Sequence, residues 1–423
     1  MTFSLTDKAT RRALIVIMLV SVLVRLVVAV ALGDNADPIS GAYDQQSYDI
    51  LAQRVVQGKG FTFPETWYPF TPPDTPTAHW SYLYTIYLAG VYALVGHHPL
   101  VARLLQAGVS ALSIWLAFRL GKRLFGNWAG LVSATLTAGY AYLIFFNAAL
   151  MTQTFYIIAV MAAFDLALGL VDQPTRRGWV LLGLVLGIGA LTRQTLLLFA
   201  PILFGWIIWR VYRRLRWRDV LVSVAMIGLV VLPWTVYNYF TFHDFLLLNS
   251  NGGFWFFSSN HPNQGTNFDP TYVAPIPADL RGLPEPAEDR ALFQRGLGFI
   301  ASDPMRFLRL TVNRLKDYYW MMPSESSSLI SNIGRVLSFP LYLPFMVYGL
   351  YLSRGRWKEC APLYLFVIFE ALFSLLSWAA PRYRLPSDAL LMVFAGFAVV
   401  SLASSFGINL RAGNLETKQR VTL

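Results

Sequence analysis

An acidic, polar segment follows directly on the first long apolar stretch of the chain. Residues 13–33 are almost entirely apolar and run into residues 43–52, which include Asp44 and Tyr48. On a helix these two side chains lie one turn apart and share a face. A carboxylate held at the end of a membrane-spanning helix can act as a general base. Taken alone, however, the segment favours the alternative that Asp44 is a solvated loop acid near the start of a helix.

Several basic residues are expected on the same side of the membrane as this acid. Arg193 ends the fifth apolar stretch, Arg382 and Arg384 precede the last one, and Lys59 follows the acidic segment. Guanidinium groups bind phosphate through paired N–H donors, so a group of them at one membrane surface forms a natural phosphate clamp. The alternative is that each is an interfacial anchor whose long side chain reaches the headgroups.

Four further charged side chains lie inside or at the edges of apolar stretches, namely Arg25, Arg103, Asp165 and Glu370. A charge within the bilayer costs roughly 2.5 to 3.5 kcal/mol on an insertion scale, so such residues usually face a polar cavity or pair with one another. Mutual pairing and the binding of a headgroup are both open at this stage.

The composition indicates a polytopic, all-α membrane protein that forms a single domain over residues 1–423. Hydrophobic residues make up 56% of the chain and charged residues 13%, with 30 Phe, 21 Tyr and 13 Trp. One soluble globule cannot bury so much apolar surface. The net charge of +11 falls in short clusters between apolar runs. That distribution is typical of contact with anionic lipid, and no nucleic-acid partner is expected.

No cofactor motif is visible. The single cysteine, Cys360, excludes an intrachain disulfide and a cysteine-rich metal site. The five histidines show no HxxxH or HExxH spacing, so we expect no dedicated metal ion. No glycine-rich loop or Walker sequence opens a helix, so a nucleotide site is not expected either.

About ten transmembrane helices are predicted, with both termini in the cytoplasm. With that orientation every short inner loop is basic, as the positive-inside rule requires. The segment from His79 to Gly96 is also apolar, but a crossing there would place the five-arginine loop at residues 210–218 outside, so we expect it at the outer interface. The predicted spans are residues 13–33, 99–120, 127–146, 154–171, 178–192, 194–211, 219–238, 336–353, 360–379 and 387–406.

Two large outer regions, residues 34–100 and 240–335, contain or adjoin most of the candidate residues. The second shows helical spacing from Asp289 to Trp320 with a break at Pro304, which predicts two amphipathic helices on the membrane. The Gly183 to Gly187 spacing is more typical of close helix packing than of a ligand loop.

The order of several short motifs resembles the C-type glycosyltransferases that use polyprenyl-phosphate sugars. Within that class the chain is similar to the protein O-mannosyltransferase and lipid A aminoarabinose transferase group, glycosyltransferase family 39. The motifs are Asp44–Tyr48 with Ala52, Gly58–Phe61, Ala102–Gln106, Gly121–Gly126, Leu191–Gln194, Pro233–Tyr239, Gly252–Phe254 with Asn260, Asp303–Pro304, and Arg382–Pro386.

The resemblance implies transfer of a sugar from a polyprenyl phosphate to a hydroxyl acceptor, with inversion, at the outer leaflet. It makes Asp44 the catalytic base. The chemistry agrees, because a phosphodiester-linked sugar already has a good leaving group and needs no general acid. Arg382, Arg384, Arg193 and Lys59 are then candidates for binding the donor phosphate, and Tyr48, Gln153, Asn260 and Arg103 for binding substrate. Relatives commonly carry an acid where this chain has Gln153, so a second acid or a metal role is not expected there.

Two other functions fit part of this pattern. A transporter or flippase for a lipid-linked sugar also needs intramembrane arginines and an outer cavity, but the two outer regions are unrelated in sequence, unlike the repeats of most transporters. A ligase for pyrophosphate-linked glycans would not need Asp44 as a base. The favoured location is a bacterial inner membrane, because the outer regions lack a large folded insertion.

Overall fold

The chain folds into 18 α-helices in a computed structural model that describes residues 2–4, 6–38, 43–67, 69, 71–320, 322, 329–406 and 409–411. The first nine helices are Asp7–Leu32 (α1), Asp44–Val56 (α2), Tyr82–Val95 (α3), Pro99–Val109 (α4), Ala111–Phe125 (α5), Asn127–Gly139 (α6), Ala141–Ala148 (α7), Gln153–Asp172 (α8) and Arg176–Thr192 (α9). The other nine are Thr195–Val211 (α10), Trp217–Phe242 (α11), Gly252–Asn260 (α12), Glu285–Ser302 (α13), Pro304–Tyr318 (α14), Leu329–Val336 (α15), Phe339–Leu352 (α16), Trp357–Leu376 (α17) and Leu385–Ser405 (α18).

Each of the ten predicted spans coincides with a helix or with two consecutive helices, which confirms the all-α membrane architecture. Among the described residues, seven helical stretches are long and apolar enough to cross a membrane, or eight if α6 and α7 are taken together. One of the seven, Ser331–Leu376, has 46 residues and includes both α16 and α17. A straight helix of that length would be about twice the thickness of the hydrocarbon core. The total of ten crossings stays a prediction.

The two ends of the described chain lie together. Strand Thr2–Ser4 (β1) pairs in parallel with strand Asn409–Arg411 (β2), outside the ends of α1 and α18. Because the pairing places both ends at one surface, it agrees with an even number of crossings.

Helix α3 has 14 residues and is the short apolar helix that was ambiguous in the sequence. At 1.5 Å per residue it is about 21 Å long, less than the hydrocarbon thickness. Seven of its side chains are buried, and it packs against α2, α4 and α9. These features support a helix that does not span the membrane.

Glycines allow two sets of helices to pack closely. A Cβ on Gly183 of α9 would lie 2.3 Å from the Ser223 carbonyl oxygen of α11, and one on Gly187 would lie 2.8 Å from Val230 Cβ. The prediction that this glycine pair serves helix packing is confirmed. Gly396 of α18 approaches Ser133 of α6 in the same way.

Arg25 of α1 is fully buried and lies at the break between α6 and α7, where the two helices meet at 60°. Its guanidinium donates to the carbonyl oxygens of Thr137 at 3.4 Å and Ala138 at 3.2 Å, and to Ser21 of its own helix. Carbonyls in the last turn of a helix lack partners within that helix. In the described structure, Arg25 therefore donates hydrogen bonds to carbonyl oxygens that the end of α6 would otherwise leave unpaired.

Candidate active site

One cavity of about 1570 Å³ brings together five of the nine predicted site residues. Its polar wall includes Asp44, Tyr48, Gln153, Arg193 and Arg382. These residues come from α2, the start of α8, the end of α9 and the 3₁₀ turn Pro381–Arg384. The apolar part of its wall comes mainly from α7, α10 and α17, through Ile144, Phe145, Phe146, Leu197, Leu198, Phe373 and Leu376.

Asp44 forms an ion pair with Arg382. The carboxylate Oδ2 lies 2.9 Å from guanidinium Nη1, and the two side chains are 26% and 20% exposed. Asp44 is the first residue of α2, where the helix dipole favours a negative charge. The pair is thus held in the cavity wall while staying accessible from the cavity.

The ring of Tyr383 lies near both cavity arginines. The guanidinium carbon of Arg382 is 5.1 Å from the ring centroid and that of Arg193 is 5.2 Å away. Arg193 also lies 5.3 Å from the Tyr156 ring and donates from Nε to the Thr152 hydroxyl at 3.5 Å. No carboxylate in the described part of the chain forms an ion pair with Arg193. Its charge is therefore available to an anion in the cavity.

Glu370 is the intramembrane acid that lines this cavity. It is 5% exposed, and its Oε1 accepts a hydrogen bond from the Tyr156 hydroxyl at 2.9 Å. Glu370 and Arg193 therefore both contact Tyr156, Glu370 through the hydroxyl and Arg193 over the ring.

Tyr48 shares the predicted face with Asp44 and is 6% exposed. Its hydroxyl accepts a hydrogen bond from the backbone N–H of Ser81 at 3.4 Å. Burial, with a smaller effect from the Asp44 carboxylate, raises the pKa of Tyr48 well above its usual value. Tyr48 therefore stays neutral and joins α2 to the segment before α3.

His79 is a cavity residue that was not predicted from the sequence. Burial lowers the pKa of His79 to about 4, although the nearby Asp44 carboxylate acts in the opposite direction. Its ring packs near those of Trp80, Phe254 and Trp255 at centroid distances of 5.1 to 6.3 Å. The imidazole is therefore neutral at pH 7 and can exchange hydrogen bonds without carrying charge.

Asp289 of α13 is a second unpredicted cavity residue. Its Oδ1 accepts a hydrogen bond from the backbone N–H of Phe254 at 2.9 Å, near the beginning of α12. Burial raises the pKa of Asp289 to about 7. A Cβ on Gly253 would collide with the Asp289 carbonyl oxygen at 1.8 Å, so glycine is required where the two helices meet.

The two outer regions are joined by Glu285 at the start of α13. Its Oε1 accepts from the backbone N–H of Ala78 at 2.8 Å and from the Ser250 hydroxyl. This contact fixes the segment that carries His79 and Trp80 against the second outer region.

Two predicted arginines lie outside the cavity lining and are occupied elsewhere. Arg103 is fully buried and donates to the carbonyl oxygens of Gly33, Asn35 and Ala148 and to Gln45 Oε1. It therefore holds α4 against the first outer region. Arg103 is not part of the proposed site.

Arg384 is 1% exposed and paired with Asp388, one turn along α18, at 3.0 Å. The same carboxylate accepts a hydrogen bond from Tyr140 at 2.5 Å, and the guanidinium lies 3.6 Å from the Phe339 ring centroid. This enclosed pair packs α18 against its neighbours and does not line the cavity, unlike Arg382 two residues earlier.

Asn260 and Lys59 are also outside the cavity lining. Asn260 is 1% exposed, and its Oδ1 accepts from Arg314 at 3.0 Å, which ties α12 to α14. Lys59 is exposed beyond the end of α2. Neither residue enters the proposed site.

The sequence offered weak signals for the residues that were missed. His79 and Trp80 stand directly before an apolar helix in an outer region, which is where side chains can face a membrane-surface site. Nothing comparable singles out Asp289, because its role depends on the position of α12, which is distant in the chain.

No group of three or more His, Cys, Asp and Glu residues suited to a metal ion occurs in the described part of the chain. Independence from a metal ion stays a prediction.

Residues 81–237 match a family model described as dolichyl-phosphate-mannose-protein mannosyltransferase. No curated protein sequence matches the chain. The matched residues run from the start of α3 almost to the end of α11 and include Gln153 and Arg193.

The solved structures that share the fold include two with a bound polyprenyl phosphate. One is the oligosaccharyltransferase AglB from Archaeoglobus fulgidus in complex with an inhibitory peptide and a dolichol-phosphate, with 14% identity and a TM-score of 0.53 over 92% of this chain and 50% of AglB. The other is ArnT from Cupriavidus metallidurans bound to undecaprenyl phosphate, with 14% identity and a TM-score of 0.56 over 93% of this chain and 61% of ArnT. The chain thus spans about half to three fifths of these structures.

The shared fold, over more than nine tenths of the chain, confirms the predicted fold of a C-type glycosyltransferase. The family model matches less than half of the chain and agrees with that prediction.

Proposed function

We propose that the protein transfers a sugar from a polyprenyl-phosphate donor to a hydroxyl acceptor, with inversion, at the outer face of the membrane. The observation that carries this proposal is the ion pair between Asp44 and Arg382 in the wall of a large, partly apolar cavity. A base and a phosphate-binding cation are the two groups that this reaction requires.

Asp44 is the proposed general base. Its carboxylate takes the proton of the acceptor hydroxyl as the hydroxyl oxygen attacks the anomeric carbon of the sugar. The bond between that carbon and the phosphate oxygen breaks in the same step, and the electron pair leaves with the polyprenyl phosphate. A single displacement of this kind inverts the anomeric configuration, and no acid is needed because the phosphate is a good leaving group.

Arg382 and Arg193 are the proposed phosphate ligands. The leaving phosphate gains negative charge, and guanidinium groups stabilise such charge best in a site with little water. Arg193 has no carboxylate partner in the described structure, while Arg382 is held by Asp44. Contact between Arg382 and both the base and the phosphate would place the anomeric carbon next to the attacking hydroxyl.

The apolar wall from α7, α10 and α17 is the proposed contact for the isoprenoid chain. Long apolar chains bind without specific polar partners, so an apolar wall beside a charged site suits a lipid phosphate. AglB with dolichol-phosphate and ArnT with undecaprenyl phosphate support this assignment by analogy of fold.

The proposed setting is a bacterial inner membrane, with cytoplasmic termini and the cavity facing outward. The basic loops between spans support this orientation through the positive-inside rule. Both outer regions, 34–100 and 240–335, then contribute to the cavity, the first through Asp44 and His79 and the second through Asp289.

Transfer of radiolabelled sugar tests the proposal directly. Membranes containing the protein are incubated with a panel of polyprenyl-phosphate sugars, and the anomeric configuration of the product is determined by NMR. Inverted product from a monophosphate donor supports the proposal. Transfer only from pyrophosphate-linked glycans would indicate a ligase, and movement of the lipid between leaflets without transfer would indicate a flippase; either result overturns the proposal.

A further inference from the structure

Arg193, one of the two proposed phosphate ligands, is held mainly by aromatic rings. Among the described residues its side chain donates one hydrogen bond, which is 3.5 Å long and goes to the Thr152 hydroxyl. Its guanidinium carbon lies 5.3 Å from the Tyr156 ring centroid and 5.2 Å from that of Tyr383. An arginine side chain has many rotamers, so binding a phosphate in one geometry requires contacts that restrict it. The two rings supply those contacts.

Tyr383 connects Arg193 with the other proposed phosphate ligand. Its hydroxyl accepts a hydrogen bond from Arg382 Nη2 at 3.2 Å, while its ring contacts the Arg193 guanidinium. Both arginines therefore lie beside one tyrosine, and both line the cavity. The position of Arg193 relative to Arg382 then depends on its second aromatic contact, Tyr156.

Tyr156 is fully buried and does not line the cavity, so it can influence a ligand only through its neighbours. Its hydroxyl lies 2.9 Å from Glu370 Oε1 and 3.2 Å from Thr195 Oγ1. A tyrosine hydroxyl donates one hydrogen bond and can accept another, which matches donation to Glu370 and acceptance from Thr195. Because α10 and α17 fix its hydroxyl end, the ring of this α8 residue is held against Arg193.

Glu370 is a costly residue at its position. It is buried within the membrane-spanning helix α17, and among the described residues its carboxyl group accepts one hydrogen bond. Burying a carboxyl group costs more than one hydrogen bond returns, whereas an apolar side chain would pack the same helix without that cost. No step of the proposed reaction uses Glu370. An ionisable residue inside a membrane usually serves a site, with a partner that can be named.

We propose that Glu370 and Tyr156 are positioning residues for Arg193. The carboxyl group fixes the tyrosine, and the tyrosine ring holds the guanidinium beside Arg382 so that both arginines bind one donor phosphate. This role rests on the proposed function, since it assumes that Arg193 binds that phosphate. The two residues should therefore affect binding of the lipid phosphate, and they should do so only through Arg193.

Binding of two lipids that differ only in the head group tests this role without requiring transfer. The affinity of the purified full-length protein is measured for polyprenyl phosphate and for the matching polyprenol, which has a hydroxyl in place of the phosphate. The wild type is expected to bind the phosphate more tightly. Equal affinity for the two lipids would leave Arg193 without a phosphate to bind and would overturn the proposal.

Glu370→Leu removes the acceptor for the Tyr156 hydroxyl, and Glu370→Gln keeps one. We expect Glu370→Leu to lower affinity for polyprenyl phosphate by about threefold to thirtyfold, the range of one cation–π contact, and Glu370→Gln to stay within about twofold of the wild type. Polyprenol affinity depends on the apolar wall and should change by less than about twofold in both variants. Equal loss for the two lipids would indicate a purely structural role, and no loss would show that Arg193 is held without Glu370; both results contradict the proposal.

Arg193→Gln shows whether Glu370 acts through the arginine. If it does, Glu370→Leu has no further effect on polyprenyl phosphate binding once the guanidinium is gone, so the two losses are not additive. Glu370 also lines the cavity, and a direct contact with the lipid would instead give the same loss with and without Arg193. The same loss in both backgrounds contradicts the proposal.

Tyr140→Phe is the matched control for Tyr156→Phe. Each tyrosine is buried and donates to a buried acid, Tyr156 to Glu370 and Tyr140 to Asp388, but neither Tyr140 nor Asp388 lines the cavity. We expect Tyr156→Phe to weaken polyprenyl phosphate binding by about threefold to tenfold, the effect of one neutral hydrogen bond, and Tyr140→Phe to leave it unchanged. An equal loss in the two variants would contradict the positioning role.

The binding measurements also separate this role from the proposed function, because binding needs no acceptor. Phosphate-dependent binding that the Glu370 and Tyr156 variants weaken, without transfer by the wild type, would contradict the proposed function alone. Transfer by the wild type, with unchanged phosphate binding in these variants, would contradict the positioning role alone.

Discussion

The carboxylate of Asp44 and the guanidinium of Arg382 meet at 2.9 Å, although one residue begins α2 and the other precedes α18. The contact joins the first outer region to the start of the last predicted span. It also places a potential base beside a potential phosphate ligand, so a donor phosphate that contacts Arg382 is brought close to Asp44.

Replacing Arg382 with lysine keeps one positive charge but removes the planar pair of N–H donors. We expect Arg382→Lys to lower kcat/KM for transfer by about tenfold to a thousandfold, as removal of one transition-state donor does in other enzymes. Steady-state transfer kinetics measure this. Kinetics equal to those of the wild type would exclude Arg382 from phosphate stabilisation.

Arg384 provides a contrasting case two residues away. Its pair with Asp388 is enclosed, so Arg384→Met leaves a buried carboxylate without its cation and should destabilise the fold by about 3–5 kcal/mol. We expect a lower midpoint of thermal unfolding, with the donor affinity of the folded protein retained. A variant of normal stability that no longer binds donor would instead place Arg384 in the site.

Arg25 is expected to stabilise the break between α6 and α7. Arg25→Met removes the donors to the Thr137 and Ala138 carbonyls, and unpaired carbonyls inside a membrane are costly. The thermal midpoint in detergent should fall, and Arg25→Lys should give an intermediate value because an ammonium group can still donate. Equal midpoints for all three proteins would show that the carbonyls find other partners.

Asp289 should make stability depend on pH. Burial raises the pKa of Asp289 to about 7 in the folded protein, against about 3.9 in an unfolded chain. Between these values the unfolded chain has lost a proton that the folded chain keeps, so the free energy of unfolding falls as pH rises from about 4 to about 7. Asp289→Asn keeps an acceptor for the Phe254 N–H but does not titrate.

The thermal midpoint of the wild type, measured relative to Asp289→Asn, should therefore decline across that pH range and level off above it. Glu285 and Glu288 also have pKa values raised by burial, but they remain in both proteins. Parallel curves for the two proteins would contradict the shifted pKa of Asp289.

Much of this structure follows from local patterns in the sequence. Apolar runs of helical length gave the predicted spans, and the break at Pro304 correctly separated α13 from α14. The glycine spacing in α9 correctly indicated close packing, because only a missing side chain permits that approach.

The sequence could not distinguish cavity arginines from packing arginines. Arg103, Arg193, Arg382 and Arg384 all lie at helix ends or membrane edges, and they differ only in which carbonyls and acids surround them after folding. Arg103 meets three backbone carbonyls, and Arg384 meets Asp388 one turn away. The i to i+4 spacing of Arg384 and Asp388 was a visible signal for that pair, whereas the partners of Arg103 depend on tertiary structure.

Transfer by Asp44→Asn tests the central claim most directly. The amide keeps the size of the side chain and can accept a hydrogen bond, but it cannot take the acceptor proton. Transfer and donor binding are measured for wild type and variant at matched expression. We expect transfer to fall by about a hundredfold or more, as for loss of a general base, while the donor still binds. Transfer at the wild-type rate would contradict the role of Asp44 as the base.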